Sequence, residues 1–155
     1  MEGLWTAVRT GRLAPGLAAF FPEAAYLQVK AIADPAADYQ SRLIGDYRLD
    51  IAAAHALLGT SAASARLVGV RVPEPYAHWV SPGACYNRVG YWEVPNARLL
   101  YRAGGVLRSF GIASMISWRG VWYVVHLGAV LHPAGVGVVD DPSLGPGASA
   151  PSLTC

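Results

Sequence analysis

The stretch "SMISWRGVWYVVHLGAVLHP", residues 114–133, decides the fold. It reads either as a β-hairpin turning at Arg119-Gly120 or as part of a membrane span. A spanning helix needs about 20 consecutive apolar residues. Arg119 interrupts this run, His132-Pro133 ends it, and β-branched and aromatic side chains dominate it. The hairpin is therefore expected. With Trp118 opposite Val121, one face collects Ile112, Ser114, Ile116 and Trp118 against Val121, Tyr123, Val125 and Leu127. That face is dense enough to be core. The other collects Ala113, Met115 and Ser117 against Trp122, Val124 and His126, a mixed surface suited to a pocket wall or a half-covered sheet face.

Working outward, the preceding segments also carry strand signals. "SARLVGVRV" stops at the Pro73–Pro75 punctuation, and "CYNRVGYWEV" is aromatic and is expected to end at Pro95-Asn96. "RLLYRA" closes at Gly104-Gly105, a hairpin signal, before "VLRSFGIASMISW". Beyond Pro133, "PAGVGVVDDPSLGPGASAPSLTC" has no period and reads as a chain draped over the surface or disordered. The expected organisation is one domain over residues 1–132 with a Gly/Pro/Ser-rich tail over 133–155.

Helices come first. Pro22 suits a first turn, with Ala25, Val29 and Ile32 as an apolar face. Asp34 reads as an N-cap and Pro35 as the first residue of a longer helix. Tyr39, Leu43, Tyr47, Ile51, Ala54 and Leu58 then recur every three or four residues, and Gly59 stops the run. Asp38, Arg42, Asp46 and Asp50 fall on an adjacent face. They read as a solvated charge ladder, although Asp46 and Asp50 could instead point into a cup under the helix.

Composition bounds the rest. The 155 residues are 54% hydrophobic and 14% charged with a net charge of +2, and mean hydropathy is +0.32. This is a chain that can bury a core. Its arginines are scattered singly, so no nucleic-acid stripe exists. Lys30 is the only lysine. No signal peptide is visible in "MEGLWTAVRTGRLAPG", which fits a cytosolic protein or a mature form whose leader was removed.

No phosphate loop, dinucleotide fingerprint, HExxH pair or nucleophile elbow occurs. His55, His78, His126 and His132 share no ligand spacing, so neither a metal nor a cofactor is expected. His126 is the one candidate acid/base, with Ser117 and Trp122 beside it, but it reads more readily as a histidine satisfied by a neighbouring hydroxyl or carbonyl. Tyr86, Tyr91, Trp92 and Trp122 could wall a ligand or simply fill strand positions. Cys85 and Cys155 are the only cysteines. A tail too poor in apolar residues to dock by burial suggests a Cys85–Cys155 disulfide and an oxidising compartment. The alternative is two unrelated thiols.

Helices followed by antiparallel strands and a closing "WRGVWYVVH" hairpin resemble the NTF2-like, cystatin-type α+β cone. The phrases "FFPEAAYLQVKAI", "DYQSRLIGDYRLDI", "SPGACYNRVGYW" and "SFGIASMISWRGVWYVVHLG" also resemble uncharacterised exported domains of actinobacteria, over residues 20–130. The resemblance implies N-terminal helices packed on a bent antiparallel sheet, often with a cavity, and export. It transfers no catalytic residues, and fold alone assigns no activity. The leading expectation is a non-enzymatic exported accessory or binding domain for a protein partner or small apolar ligand. A small-molecule isomerase, dehydratase or hydrolase using His126 is the second. A structural homodimer is the third.

Overall fold

The computed structural model describes residues 1–131 and 133–152. It is an α+β fold, with N-terminal helices laid on an open, six-stranded antiparallel sheet. Helix α1 (Glu2–Thr10) was not anticipated. It buries Leu4, Trp5, Ala7 and Val8 and ends at Gly11, whose left-handed φ of 65° suits a residue without Cβ. Arg9 ties it to the turn that precedes the first strand, donating to the carbonyls of Ala62 and Ala63.

Helix α2 (Glu23–Val29) starts where expected but stops three residues short of Ile32. The chain turns extended at Lys30 because another segment takes its hydrogen bonds. Arg88 N–H donates to the Val29 carbonyl, Ala31 N–H donates to Tyr86, and Lys30 bridges to Asn87.

The long helix begins with α3 (Pro35–Asp38), where the Asp34 carboxylate accepts the Ala37 amide at 2.9 Å. It continues through a π-turn over Tyr39–Leu43 into α4 (Ile44–Leu58). The π-turn has a geometric reason. Four residues of α-helix turn about 40° past a full circle, so the three consecutive steps of four from Tyr39 to Ile51 would walk the stripe off the core. One wider turn absorbs part of that drift. All six stripe residues are buried.

Strands β1 (Arg66–Arg71) and β2 (His78–Val80) share one edge of β3 (Tyr91–Ala103), and β4 (Val106–Trp118) lies along the other. β3 corrects the expected break at Pro95-Asn96: it is one continuous strand, and Pro95 sits opposite Ser114. β2 ends its pairing at Glu93 and β1 begins at Arg98, so Pro95 lies in the gap between them. A residue without N–H is tolerated there. Tyr91, Glu93, Ala97, Leu99 and Tyr101 face the helices. Arg98 faces outward.

Both glycine turns form as expected, with left-handed φ at Gly104 and Gly105 and at Arg119 and Gly120. β5 (Val121–His126) pairs Trp118 with Val121 and keeps the expected register as far as Met115–Val124. A β-bulge then shifts it, and His126 lies opposite Ser114. The predicted face for His126, beside Met115, Ser117 and Trp122, is thus corrected: the extra residue at Val125 turns it to the helix side.

The helical stripe does not meet β5 directly along its length. Phe20 and Phe21 run beside Val124 and intervene. Phe20 stacks on Tyr47 with centroids 4.3 Å apart, and Phe21 meets Trp118 and Tyr123 edge-on. Tyr47 donates its hydroxyl to the Gly16 carbonyl and Tyr39 to that of Phe21.

The run after Gly128 follows the free edge of β4. Asp140 accepts the Gly111 amide, β6 (Ser143–Leu144) pairs with Ser109 and Arg108, and Gly145 N–H donates to Leu107. Residues 146–150 then cross the outer face over Arg98, which is 1% exposed and donates to Asp141 and Ser109. Asp50 fastens the start of this run. Far from lying on a solvated ladder, it is 2% exposed and accepts the amides of Gly128 and Val138.

Candidate functional site

A cleft of about 110 Å³ opens between α2, the π-turn and the ends of β3, β4 and β5. Its apolar wall is Phe21, Val29, Leu43, Ile116 and Val125; its polar wall is Tyr26, Lys30, Arg42, Glu93, Ser114 and His126, with Cys85 and Tyr91 at the side. Each group arrives through a local feature already described. The early end of α2 presents Lys30, the π-turn presents Arg42 beside Leu43, and the bulge in β5 presents His126.

Arg42 grips Asp38 through both carboxylate oxygens, at 2.8 and 2.6 Å, and also donates to the Tyr26 hydroxyl at 3.2 Å. Tyr26 in turn donates to Asp38. The hydrogen bonds from Arg42 hold the Asp38 carboxyl below the ordinary carboxylate range, against a smaller opposing effect of burial. Burial, reinforced by that bond to Asp38, pushes the Tyr26 phenol far above its ordinary value.

Glu93 is 3% exposed. Its Oε1 accepts the Ser114 hydroxyl at 2.7 Å, and its Oε2 lies 3.7 Å from Nε2 of His78 on the neighbouring strand. Lys30 donates to the backbone carbonyl of Cys85 at 2.9 Å, and its ammonium stands 6.0 Å from the Tyr26 ring centre. Burial lowers the Lys30 pKa, and the Arg42 charge adds to that.

Of the residues singled out in the sequence, Cys85, Tyr91 and His126 line this cleft. Cys85 does not open a strand; it occupies a tight turn with φ of 53°, followed by Tyr86 at 56°. Tyr86 is 76% exposed. Trp92 points to the opposite side of β3, where it meets Trp79 edge-on with both rings 51% exposed. Ser117 and Trp122 pair with each other, half-buried, away from the cleft. Cys155 and His132 lie outside the described residues.

Lys30, Arg42, Tyr26, Glu93 and Ser114 were not singled out. Two signals for them were present: a lone lysine in an arginine-rich chain, and the alternation in "YWEV" that puts Glu93 on the side of Tyr91. Among the described residues, no group of three or more His, Cys, Asp or Glu side chains is placed to hold a metal ion. No helix among them is long and apolar enough to cross a membrane. No known family, curated protein or solved structure matches the chain.

Proposed function

We propose that this chain is a non-enzymatic, exported binding domain related to the NTF2-like, cystatin-type cones, and that it holds a small ligand in the cleft beneath α2. The observation that carries this reading is the cleft itself: an apolar wall facing ionisable groups at the mouth of a helix-on-sheet fold. The reading makes a direct prediction for protein purified from its source. Native mass spectrometry should show a mass excess over the bare chain that disappears on denaturation. Arrival at the bare mass, with no cleft resonance moved by a panel of small molecules, would oppose it.

A second reading is favoured by one specific juxtaposition. His126 and the buried Glu93 line the same cleft, as a base and a carboxylate would in an isomerase, dehydratase or hydrolase. The two readings separate on His126→Gln. A binding domain returns its ligand chemically unchanged before and after the substitution, whereas an enzyme converts it and loses that conversion in the variant while still binding.

Export and a Cys85–Cys155 disulfide belong to the same proposal. Pro151 and Ser152 lie against Pro75–His78, and His78 adjoins Glu93 on the cleft that Cys85 also lines. Three further residues reach about 10 Å, which supports a bridge at that wall. Such bonds persist in oxidising compartments. Intact mass with and without reductant, followed by alkylation, tests the bridge. Two alkylatable thiols in oxidised protein would rule it out.

A further inference from the structure

We infer that the ligand of this cleft is a small organic anion, a monocarboxylate with a short apolar body, whose head group sits against the Lys30 ammonium. The inference rests on the binding reading above and narrows it to a chemical class.

The argument is a charge balance. The cleft has three permanently or ordinarily charged wall groups, Lys30, Arg42 and Glu93. Arg42 already holds Asp38 in a two-oxygen grip. Glu93 has a hydroxyl on one oxygen and the His78 imidazole near the other. Lys30 differs from both. Its one hydrogen bond to a described residue goes to a neutral carbonyl, that of Cys85, although an ammonium carries three donors. Burial and the Arg42 cation disfavour the lysine's charge, and the carboxylates of Asp38 and Glu93, more distant than a hydrogen bond, offset this only in part. An anion placed beside it reverses that penalty. A cation placed in the same space would meet both Lys30 and Arg42.

Size and sign select among anions. The cleft, at about 110 Å³, is small beside the several hundred Å³ usual for drug-sized ligands. Glu93 on the same wall disfavours a second negative charge. Phe21, Val29, Leu43, Ile116 and Val125 offer surface only to hydrocarbon. A single carboxylate on a short aliphatic chain satisfies all three conditions, with a charge-assisted hydrogen bond as its anchor.

The test is a ¹H–¹⁵N correlation titration of the full chain with three probes of matched shape: butyrate, butyramide and butylammonium. Butyrate should shift the backbone resonances of Lys30, Cys85, Val125 and His126 saturably. Butyramide should bind roughly tenfold more weakly or less, the loss expected for one charge-assisted contact. In Lys30→Gln the advantage of butyrate should vanish, and in Lys30→Arg most of it should return, with spectral dispersion confirming that both variants fold. Equal binding of butyrate and butyramide, or tighter binding of butylammonium, would overturn the anion assignment while leaving a binding cleft. Undiminished butyrate binding in Lys30→Gln would overturn the role of Lys30. If none of the three probes moves a cleft resonance, the binding reading falls as well.

Discussion

Asp50 and Asp46 stand one helical turn apart on α4, and sequence places them on one charged face. Only Asp50 is buried, with a backbone amide on each oxygen. Replacing it by alanine strands two donors, each worth about 1–3 kcal/mol when buried without a partner. Asp50→Ala should therefore lower stability in a urea titration by about 3 kcal/mol or more, and Asp46→Ala by less than about 0.5 kcal/mol. Equal effects would mean that Asp50 does not anchor the later chain. Leu43 tests the cleft end of the same continuous helix. It is buried and walls the cleft, so Leu43→Ala should cost about 2–5 kcal/mol. A loss below about half a kcal/mol would place the stripe at solvent.

Among the elements, the helical stripe and the two glycine turns were legible because each depends on local pattern: a period of three to four residues, or a positive φ that glycine supplies. α1 was missed, although Leu4, Ala7 and Val8 are spaced for one face and Gly11 stops it. Its missing N-cap side chain removed the usual start signal. Pro95 misled for a non-local reason. Whether proline breaks a strand depends on whether a neighbour needs its N–H, and only the tertiary gap between β1 and β2 answers that. His126 was placed on the wrong face because a single bulge, invisible to alternation, inverts every residue after it. The cleft was hidden on the same ground, since its walls come from five segments that converge only in the fold.

The C-terminal run offers a test at this scale. Gly147 has φ of 62°, and a Cβ there would strike the Arg98 guanidinium. Gly147→Ala should cost on the order of 1–2 kcal/mol. Its effect should be local: faster amide exchange at Gly111 and Gly145, with Leu99 and Phe110 in the β3–β4 hairpin unchanged. Uniform acceleration across the sheet would mean that the crossing segment is integral to the core.

For the molecule as a whole, two aspartates shifted in opposite directions contribute pH dependence of opposite sign to stability in acid. Asp38 has a lowered pKa, so its contribution is present above the unfolded value near 3.8 and is lost as pH falls through the folded value. Asp140 has a raised pKa, caused first by burial, with Asp141 adding to it and Arg98 opposing. Between 3.8 and its raised value the native state holds more protons than the unfolded chain. Its contribution is therefore full below 3.8 and declines as pH rises through that window. Asp140→Asn should flatten the fall in stability between pH about 4 and neutrality. Urea titrations at both ends of the range measure it. A slope unchanged by the substitution would show that Asp140 is solvated in the native state.

The edge of β4 has an implication for biosynthesis. Between Leu107 and Ala113 that edge is satisfied by Leu127, Asp140, Ser143, Leu144 and Gly145, all made after the strands they complete. While a ribosome has delivered only the hairpins, bare amides and carbonyls along this edge are open to any extended chain nearby, including the same stretch of a neighbouring nascent copy. A released chain that ends just before residue 138 should consequently be a sticky intermediate that depends on chaperones. Extension by fewer than ten residues, through Gly145, should release it from them.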